Sequence, residues 1–335
     1  MTVTSTPLAD GARPGASVAV TVGVDIGGTT TEVVRVGPGG DIEAHAVVPT
    51  RPGPGLLDST VAAIREVAPD GVVDRIGVGV PGQVDRHDGS VAFAVNLGLG
   101  RDRLDLGARL AEIFDATVEV ENDVRVAALG AHAHLAPDAG VLVFLGLGTG
   151  VSAGVVIDGR IHRGRDGMAG EIGHVVVDPT GPVCPCGQRG CLEALVSGGA
   201  LRRRWPTGGD EAAAHLFEQA AAGDPAAIAL RDEVVGHLTT ALTWLVAAYG
   251  ADLAVLGGGV GRIGAPLLAA IHTRLEDVAS RSEVAGFLLG PEHIRCAPAD
   301  GPLGAVGAAA LVGATTRPLD EAAARVAALN RAASG

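Results

Sequence analysis

The sequence predicts an α/β protein of two domains, and three observations predict it. The chain has 335 residues, a length that fits two units of about 150 residues each. Short β-branched runs bounded by glycine alternate with longer Ala/Leu-rich runs of helical spacing, the pattern of layered sheets and helices. A strand, Gly/Thr turn, strand, glycine turn succession at 17–40 recurs at 141–159, an offset of about 120 residues. That offset is no solenoid period. It reads as one α/β unit used twice, or as a coincidence between two glycine-rich hairpins.

Residues 1–17 are polar and read as a disordered lead-in. Residues 17–26 alternate and are rich in Val, so they read as a strand, followed by a tight turn at Gly27-Gly28-Thr29. Glu32–Val36 and Ile42–Val48 are returning strands separated by glycines. Leu56–Val67 has helical spacing, Arg75–Val80 is a buried strand ending at Pro81-Gly82, 102–114 reads as helix, and Val118–Glu121 is a short strand before Asn122-Asp123. A helix is expected over Val124–Gly130. Residues 141–157 are strand, Gly148-Thr149-Gly150 turn and strand. Helices follow at Glu211–Ala222 and Ala226–Tyr249, with Asp224 placed to cap the second and Pro225 at its first position. Leu253–Leu256 is a strand running into Gly257-Gly258-Gly259. Ile263–Val278 is a helix, 303–312 a small-residue helix able to pack closely, and 318–332 a final helix or a frayed tail.

The composition, 47% hydrophobic and 19% charged, provides a sizeable core and excludes a disordered chain. A net charge of −13 and only eight aromatic residues (five Phe, two Trp, one Tyr) argue against nucleic acid as a partner. All 25 basic residues are arginine. Without lysine there is no P-loop, no protein-kinase site and no Schiff-base chemistry, so nucleotide phosphates must be held by backbone N–H groups, hydroxyls, a metal or arginine. No secretion signal and no apolar run long enough for a transmembrane helix is read, and the cysteines point to a reducing cytoplasm.

His174, Cys184, Cys186 and Cys191 offer one imidazole and three thiolates, a closed Cys₃His set suited to structural zinc. Free thiols or a single bridge are the plain alternatives. The turns at Gly27–Thr29, Gly148–Gly150 and Gly257–Gly259 can form anion-binding nests, though glycine turns are also ordinary. Asp123 at a strand end can act as general base toward a hydroxyl with Asn122 orienting the substrate, or it can simply cap the following helix. Glu171 and Glu193 flank the cysteine cluster, where metal ligation would fix both carboxylates for reading a polyol; otherwise they are solvated charges.

Taken together, Asp25-Ile26-Gly27-Gly28-Thr29, Glu121-Asn122-Asp123, Gly148-Thr149-Gly150, Glu171-Ile172-Gly173-His174 and the C-x-C-G-x-x-G-C-x-E segment at 184–193 resemble the ROK family of repressors and sugar kinases. The resemblance spans about residues 20–312. It implies the actin-like ATPase (ribonuclease H-like) fold, two α/β domains around a central cleft. Residues 18–123 with about 299–315 would form the small domain, and 124–298 the large one with a zinc-binding loop at 174–191. It implies an ATP- and Mg²⁺-dependent kinase acting on a hexose hydroxyl, with glucose at O6 first, N-acetylmannosamine, N-acetylglucosamine or fructose next, and a homodimer. By resemblance Asp123 is the general base; Gly82, Asn96, Asn122, Glu171, His174 and Glu193 hold the sugar. His174 would serve zinc through one nitrogen and sugar through the other. Asp25, Gly27, Gly28, Thr29, Thr30, Gly148, Thr149 and Gly150 face the phosphates, and Gly257, Gly258, Gly259 and Val260 lie by the adenosine. The sequence departs from the family pattern at Thr30, where lysine is common, at Ser152-Ala153, and at Gly98-Leu99-Gly100 after Asn96-Leu97. Only 24 residues precede Asp25, with one arginine among them, which disfavours the rival reading as a DNA-binding regulator of the same family. A non-catalytic sugar sensor is the third reading.

Overall fold

The computed structural model describes residues 19–299 and 301–313. The expected lead-in at 1–17 and the expected terminal helix or tail at 318–332 lie outside the described residues.

The chain opens with β1 (Thr21–Ile26), β2 (Thr30–Val36) and β3 (Ile42–Pro49), then α1 (Leu56–Val67), β4 (Arg75–Val80), a small hairpin of β5 (Gln83–Asp85) and β6 (Ser90–Ala92), α2 (Leu106–Phe114) and β7 (Thr117–Asn122). Strands β1, β2 and β3 pair antiparallel, and β4 and β7 add parallel beyond β1, giving the order β3-β2-β1-β4-β7. Val22, Val24 and Ile26 point to one face and pack with Leu56, Ile64, Leu106 and Leu110 of α1 and α2.

The second run comprises α3 (Asp123–Leu135), β8 (Val141–Leu147), β9 (Val151–Ile157), β10 (Arg160–Ile161), α4 (Leu192–Val196), α5 (Gly198–Arg204), α6 (Ala212–Ala221), α7 (Pro225–Tyr249), β11 (Leu253–Gly257), the single turn α8 (Gly258–Gly261), α9 (Ala265–Ala279), α10 (Glu283–Leu288), β12 (Ile294–Cys296) and α11 (Leu303–Leu311). Its sheet has the order β10-β9-β8-β11-β12, antiparallel through β8 and parallel beyond it. This is the first sheet's connectivity repeated, so the doubled hairpin in the sequence is a doubled fold unit. A core under this sheet gathers Leu145, Leu147, Leu192, Leu238, Leu242 and Leu256.

The two units exchange a helix. α3 follows the last strand of the first sheet and lies on β8 and β9 of the second; α11 follows the second sheet and lies on β1 and β4 of the first. The two helices also pack on each other, with a third core of Ala128, Ala131, Leu142, Phe144, Leu303 and Val306 around them. Their backbones meet directly. A Cβ at Gly307 would stand 1.8 Å from the Val126 carbonyl oxygen, and one at Gly130 2.2 Å from that of Leu303. Such distances forbid any side chain, which explains the small-residue composition of 303–312.

The expected helix at 56–67 and the caps at Asp224 and Pro225 are present; Asp224 Oδ1 accepts from the Ala227 N–H at 2.8 Å. The helix expected at 102–114 starts only at Leu106, because Leu104 is held in an extended bridge to Val91 by two backbone hydrogen bonds. The helix expected over Val124–Gly130 runs on to Leu135. The short elements β5, β6, β10, β12, α4, α5 and α10 had no periodic signal of their own.

Candidate active site

A cleft of about 940 Å³ runs between the two sheets, at the carboxyl ends of their central strands. Asp25, Gly27, Gly28, Thr29 and Thr30 line it from the β1–β2 turn, Gly148, Thr149 and Gly150 from the β8–β9 turn, and Gly257, Gly258 and Gly259 from the end of β11. Gly82, Asn96, Asn122, Asp123, Glu171, His174 and Glu193 line the same cleft. Val260 does not. Its side chain is buried in the core beneath the second sheet, since the turn after Gly258 rotates it inward.

Asp123 is the first residue of α3, and the cap is its neighbour: Asn122 Oδ1 accepts from the N–H groups of Val124 and Arg125. Asp123 Oδ1 accepts from Val124 N–H at 2.9 Å. Asn122 thus takes the capping role that spacing alone had offered Asp123. The Asn122 amide also donates to the Gly82 carbonyl at 3.4 Å. Gly82 has φ of +99°, and a Cβ there would lie 2.7 Å from the Ala92 carbonyl oxygen, so the turn after β4 requires glycine. Burial pushes the Asp123 carboxyl up, opposed by the Val124 N–H, its own N–H, the Asn122 side chain and the Arg125 charge. Asp25 faces it across Gly79, where a Cβ would lie 3.5 Å from Asp25 Oδ1 and 3.6 Å from Asp123 Cα. Burial pushes Asp25 well above the usual carboxylate range, and the Asp123 and Glu32 charges add to the effect.

The Cys₃His residues converge. The ligand atoms of His174, Cys184, Cys186 and Cys191 all lie within 4.8 Å of one another. Cys186 and Cys191 sulfurs are 3.6 Å apart, and Cys184 Sγ is 3.9 Å from His174 Nδ1. Tetrahedral sulfurs at bonds of about 2.3 Å stand about 3.8 Å apart, so the spacing fits zinc. It does not fit a disulfide, whose sulfurs bond at about 2.0 Å. The N–H of Gln188 lowers the Cys186 thiol to about 6, near the thiolate a metal needs. Nδ1 faces the sulfurs while the His174 ring also borders the cleft. Glu193 is the second residue of α4, two after Cys191, and its Oε2 accepts from Val151 N–H at 3.1 Å, tying this loop to the β8–β9 turn. Glu171 is exposed on the cleft wall.

Sequence reasoning missed Glu32, Phe93, Arg125, Ser152, Met168 and Arg262, all of which border the cleft. Only Arg125 left a readable trace. It stands four residues after Glu121 on the helix that Asp123 begins, the spacing of an ion pair.

Two α/β units of like connectivity, each closed by the other's helix around one cleft, define the actin-like ATPase class. The chain belongs to the ROK family, which matches residues 21–315. It is 33% identical over 318 residues to a glucokinase of Thermotoga maritima, covering 87% of this chain and 96% of that one. It is 32% identical over 247 residues to an N-acetylmannosamine kinase of Vibrio cholerae, covering 72% of this chain and 84% of that one. Among solved structures, a ROK family glucokinase from Streptomyces griseus in complex with glucose and AMPPNP superposes with a TM-score of 0.69 at 30% identity, covering 88% of this chain and 99% of that one.

Proposed function

We propose that this protein is an ATP-dependent hexose kinase that phosphorylates glucose at O6. The observation that carries the reading is one cleft holding Asp123 together with the Glu171–His174 segment and both glycine turns. Asp123 takes the proton from the 6-hydroxyl as that oxygen bonds to the γ-phosphorus; the bond to the bridging oxygen breaks and ADP leaves. A carboxylate raised by burial toward the working pH, yet anchored at a helix N-terminus that favours its anion, suits a general base. Gly82, Asn96, Asn122, Glu171, His174 and Glu193 hold the sugar. Asp25, Thr30 and the turns at Gly27–Thr29 and Gly148–Gly150 face the phosphates, where Mg²⁺ offsets their charge, and Gly257–Gly259 lies by the adenosine. His174, Cys184, Cys186 and Cys191 would hold a structural zinc, which supplies rigidity and no chemistry.

The reading extends to two domains dividing near 123 and 299 and a homodimer, which rest on family resemblance, and to a cytoplasmic location, which rests on the cysteine usage. Among the described residues no helix is long and apolar enough to cross a membrane. The N-acetylmannosamine kinase relative favours a second reading, N-acetylmannosamine as substrate. ADP release measured with ATP against a panel of hexoses and N-acetylhexosamines decides. The highest kcat/KM is expected for glucose; a preference for an N-acetylhexosamine selects the second reading, and the lack of ADP release with every sugar marks a sensor.

A further inference from the structure

A buried ion network joins the two units beside the cleft. Glu121, only 1% exposed, is the last residue but one of β7. Its Oε1 accepts from the Asn122 N–H at 2.9 Å and from Nη1 of Arg125, on α3, at 3.1 Å. Its Oε2 accepts from Nε of Arg163, which follows β10 in the second unit. The second terminal nitrogen of Arg125 donates to the Gly167 carbonyl. Burial works to push the Glu121 carboxyl up, but the Asn122 N–H and the two guanidinium groups outweigh it and hold the group below its usual range, so it is ionised.

The loop that these arginines hold is irregular. Gly164, Asp166, Gly167 and Gly170 all have positive φ, at +63°, +56°, +70° and +95°, and Asp166 holds a conformation that residues with a side chain rarely adopt. Only a three-residue turn, Arg165–Gly167, forms between β10 and Glu171. The loop is tied at three places: by the Arg163 side chain at its start, by Arg125 at Gly167, and at Gly170, whose carbonyl accepts from the Ala153 N–H at 2.7 Å. Asp166, Gly167, Met168 and Glu171 border the cleft, as do Asn122, Asp123 and Arg125, whereas Glu121 and Arg163 do not. Glu121 thus stands behind the cleft and links the wall that carries Asp123 to the wall that carries Glu171. Apolar side chains of similar volume often stabilise a core as well as a buried ion cluster does. They do not supply a directional link between two particular backbones, which charge-assisted hydrogen bonds do.

We propose that Glu121 and Arg163 are positioning residues that fasten the 163–171 loop to the Asn122-Asp123 corner and so set the spacing across which the sugar is held. The inference deepens the proposed function and rests on its assignment of Asp123 and Glu171 to the sugar. Neither residue borders the cleft, so each acts through the walls it joins. A shift of about 1 Å in such a wall can cost up to about 10²-fold. The loss falls on the sugar, because the first glycine turn is closed by its own backbone, Gly27 N–H to the Thr30 carbonyl at 2.8 Å, and does not hang on this link.

The test compares Arg163→Met, Glu121→Gln and the double variant with the wild-type protein, with fold checked by circular dichroism. Arg163→Met leaves Glu121 its bonds to Arg125 and Asn122, and it decides by itself where Glu121→Gln does not fold. Amide hydrogen exchange of the loop is followed in each, and binding of glucose, N-acetylmannosamine and AMPPNP is measured by calorimetry. In Arg163→Met, exchange at 164–171 is expected to quicken and affinity for the preferred sugar to fall about 10-fold, with AMPPNP affinity within about twofold of wild type. The double variant is expected to lose no more than the worse single one, since both residues act through one link. A folded Arg163→Met protein with wild-type loop exchange or wild-type sugar affinity overturns the proposal. So do equal losses for sugar and AMPPNP, or losses that add in the double variant. A wild-type protein that binds neither sugar sinks the kinase reading, while the exchange measurement, which needs no ligand, still decides whether Glu121 and Arg163 hold the loop.

Discussion

The two glycine-turn sheets have one connectivity and opposite chemistry. The registers align Asp25 and Glu32 beside the first turn with Gly146 and Ser152 beside the second. Extending the β11–β12 register past Cys296 aligns Glu121-Asn122-Asp123 at the end of the first sheet with Ala297-Pro298-Ala299 at the end of the second. At these aligned positions every carboxylate falls on one copy. The neutral copy offers backbone N–H groups and the Thr149 hydroxyl, which suit phosphates in a chain without lysine. Packing favours the split. A Cβ at Gly146 would lie 3.0 Å from Val124 Cγ2, so the Val124 side chain must give way before a side chain such as that of Asp25 fits there. On the proposed reading, one fold unit used twice supplies a chemical wall and a donor-binding wall.

The sharpest way to break this asymmetry is to neutralise the acidic corner. Asp123→Asn keeps shape and the Val124 contact but removes the proton acceptor. The expected loss in kcat is about 10²–10⁴-fold with little change in KM for ATP. Near-wild-type turnover would move the base elsewhere. The next effect concerns the loop that serves the neutral wall. Zinc removal, verified by metal analysis, is expected to free Glu193 from Val151 and His174 from its orientation. Losing one hydrogen bond to a charged group predicts a sugar KM raised by about 10–100-fold, with a lower Tm. Unchanged sugar affinity in the metal-free protein would remove the loop from substrate binding.

Asp25 gives a stability test of the same division. Its folded-state carboxyl is raised by burial and by Asp123 and Glu32. The native state therefore binds more protons than the unfolded one, from the ordinary carboxylate pKa up to the raised one. Stability from this group is fully present below that window and lost as pH rises through it. Asp25→Asn removes the penalty while keeping the shape pressed against Gly304. At pH 7 without ligand its Tm is expected to rise by about 3 °C or more, with a flatter dependence on pH above about 4, while turnover falls. A lower Tm at pH 7 would show that Asp25 is better satisfied than its surroundings imply.

How much of this was legible beforehand depends on the range of the signal. Turns and strand ends announce themselves locally, so Gly27–Thr29, Gly148–Gly150 and the Asn122-Asp123 pair were found with their strands. The Cys₃His set was found because its spacing is itself the chemistry. The helix exchange between α3 and α11 left only the small residues of 303–312, which announce a close approach but not its partner. The Arg125–Glu121–Arg163 network joins residues up to 42 apart in sequence, so the pairing with Arg163 and the contact at Gly167 had no local pattern. Val260 shows the converse: it adjoins a turn of the cleft in sequence, but one step of helix carries its side chain into the core.

The smallest expected effect distinguishes the two turns by a single methyl group. A Cβ at Gly28 would lie 3.4 Å from Asn96, ordinary contact, whereas one at Gly150 would lie 2.6 Å from Glu193 Oε2. That oxygen is the acceptor for Val151 N–H, so the methyl group in Gly150→Ala must displace the hydrogen bond that ties the metal-binding loop to the second turn. A net cost of one hydrogen bond predicts a rise in sugar KM of about 3–10-fold for Gly150→Ala, while Gly28→Ala stays within about twofold. Steady-state kinetics on the two variants, with ATP and sugar varied separately, measure this. Equal effects would mean that Glu193 swings aside freely, leaving the second turn held by its own backbone and not by the loop beside it.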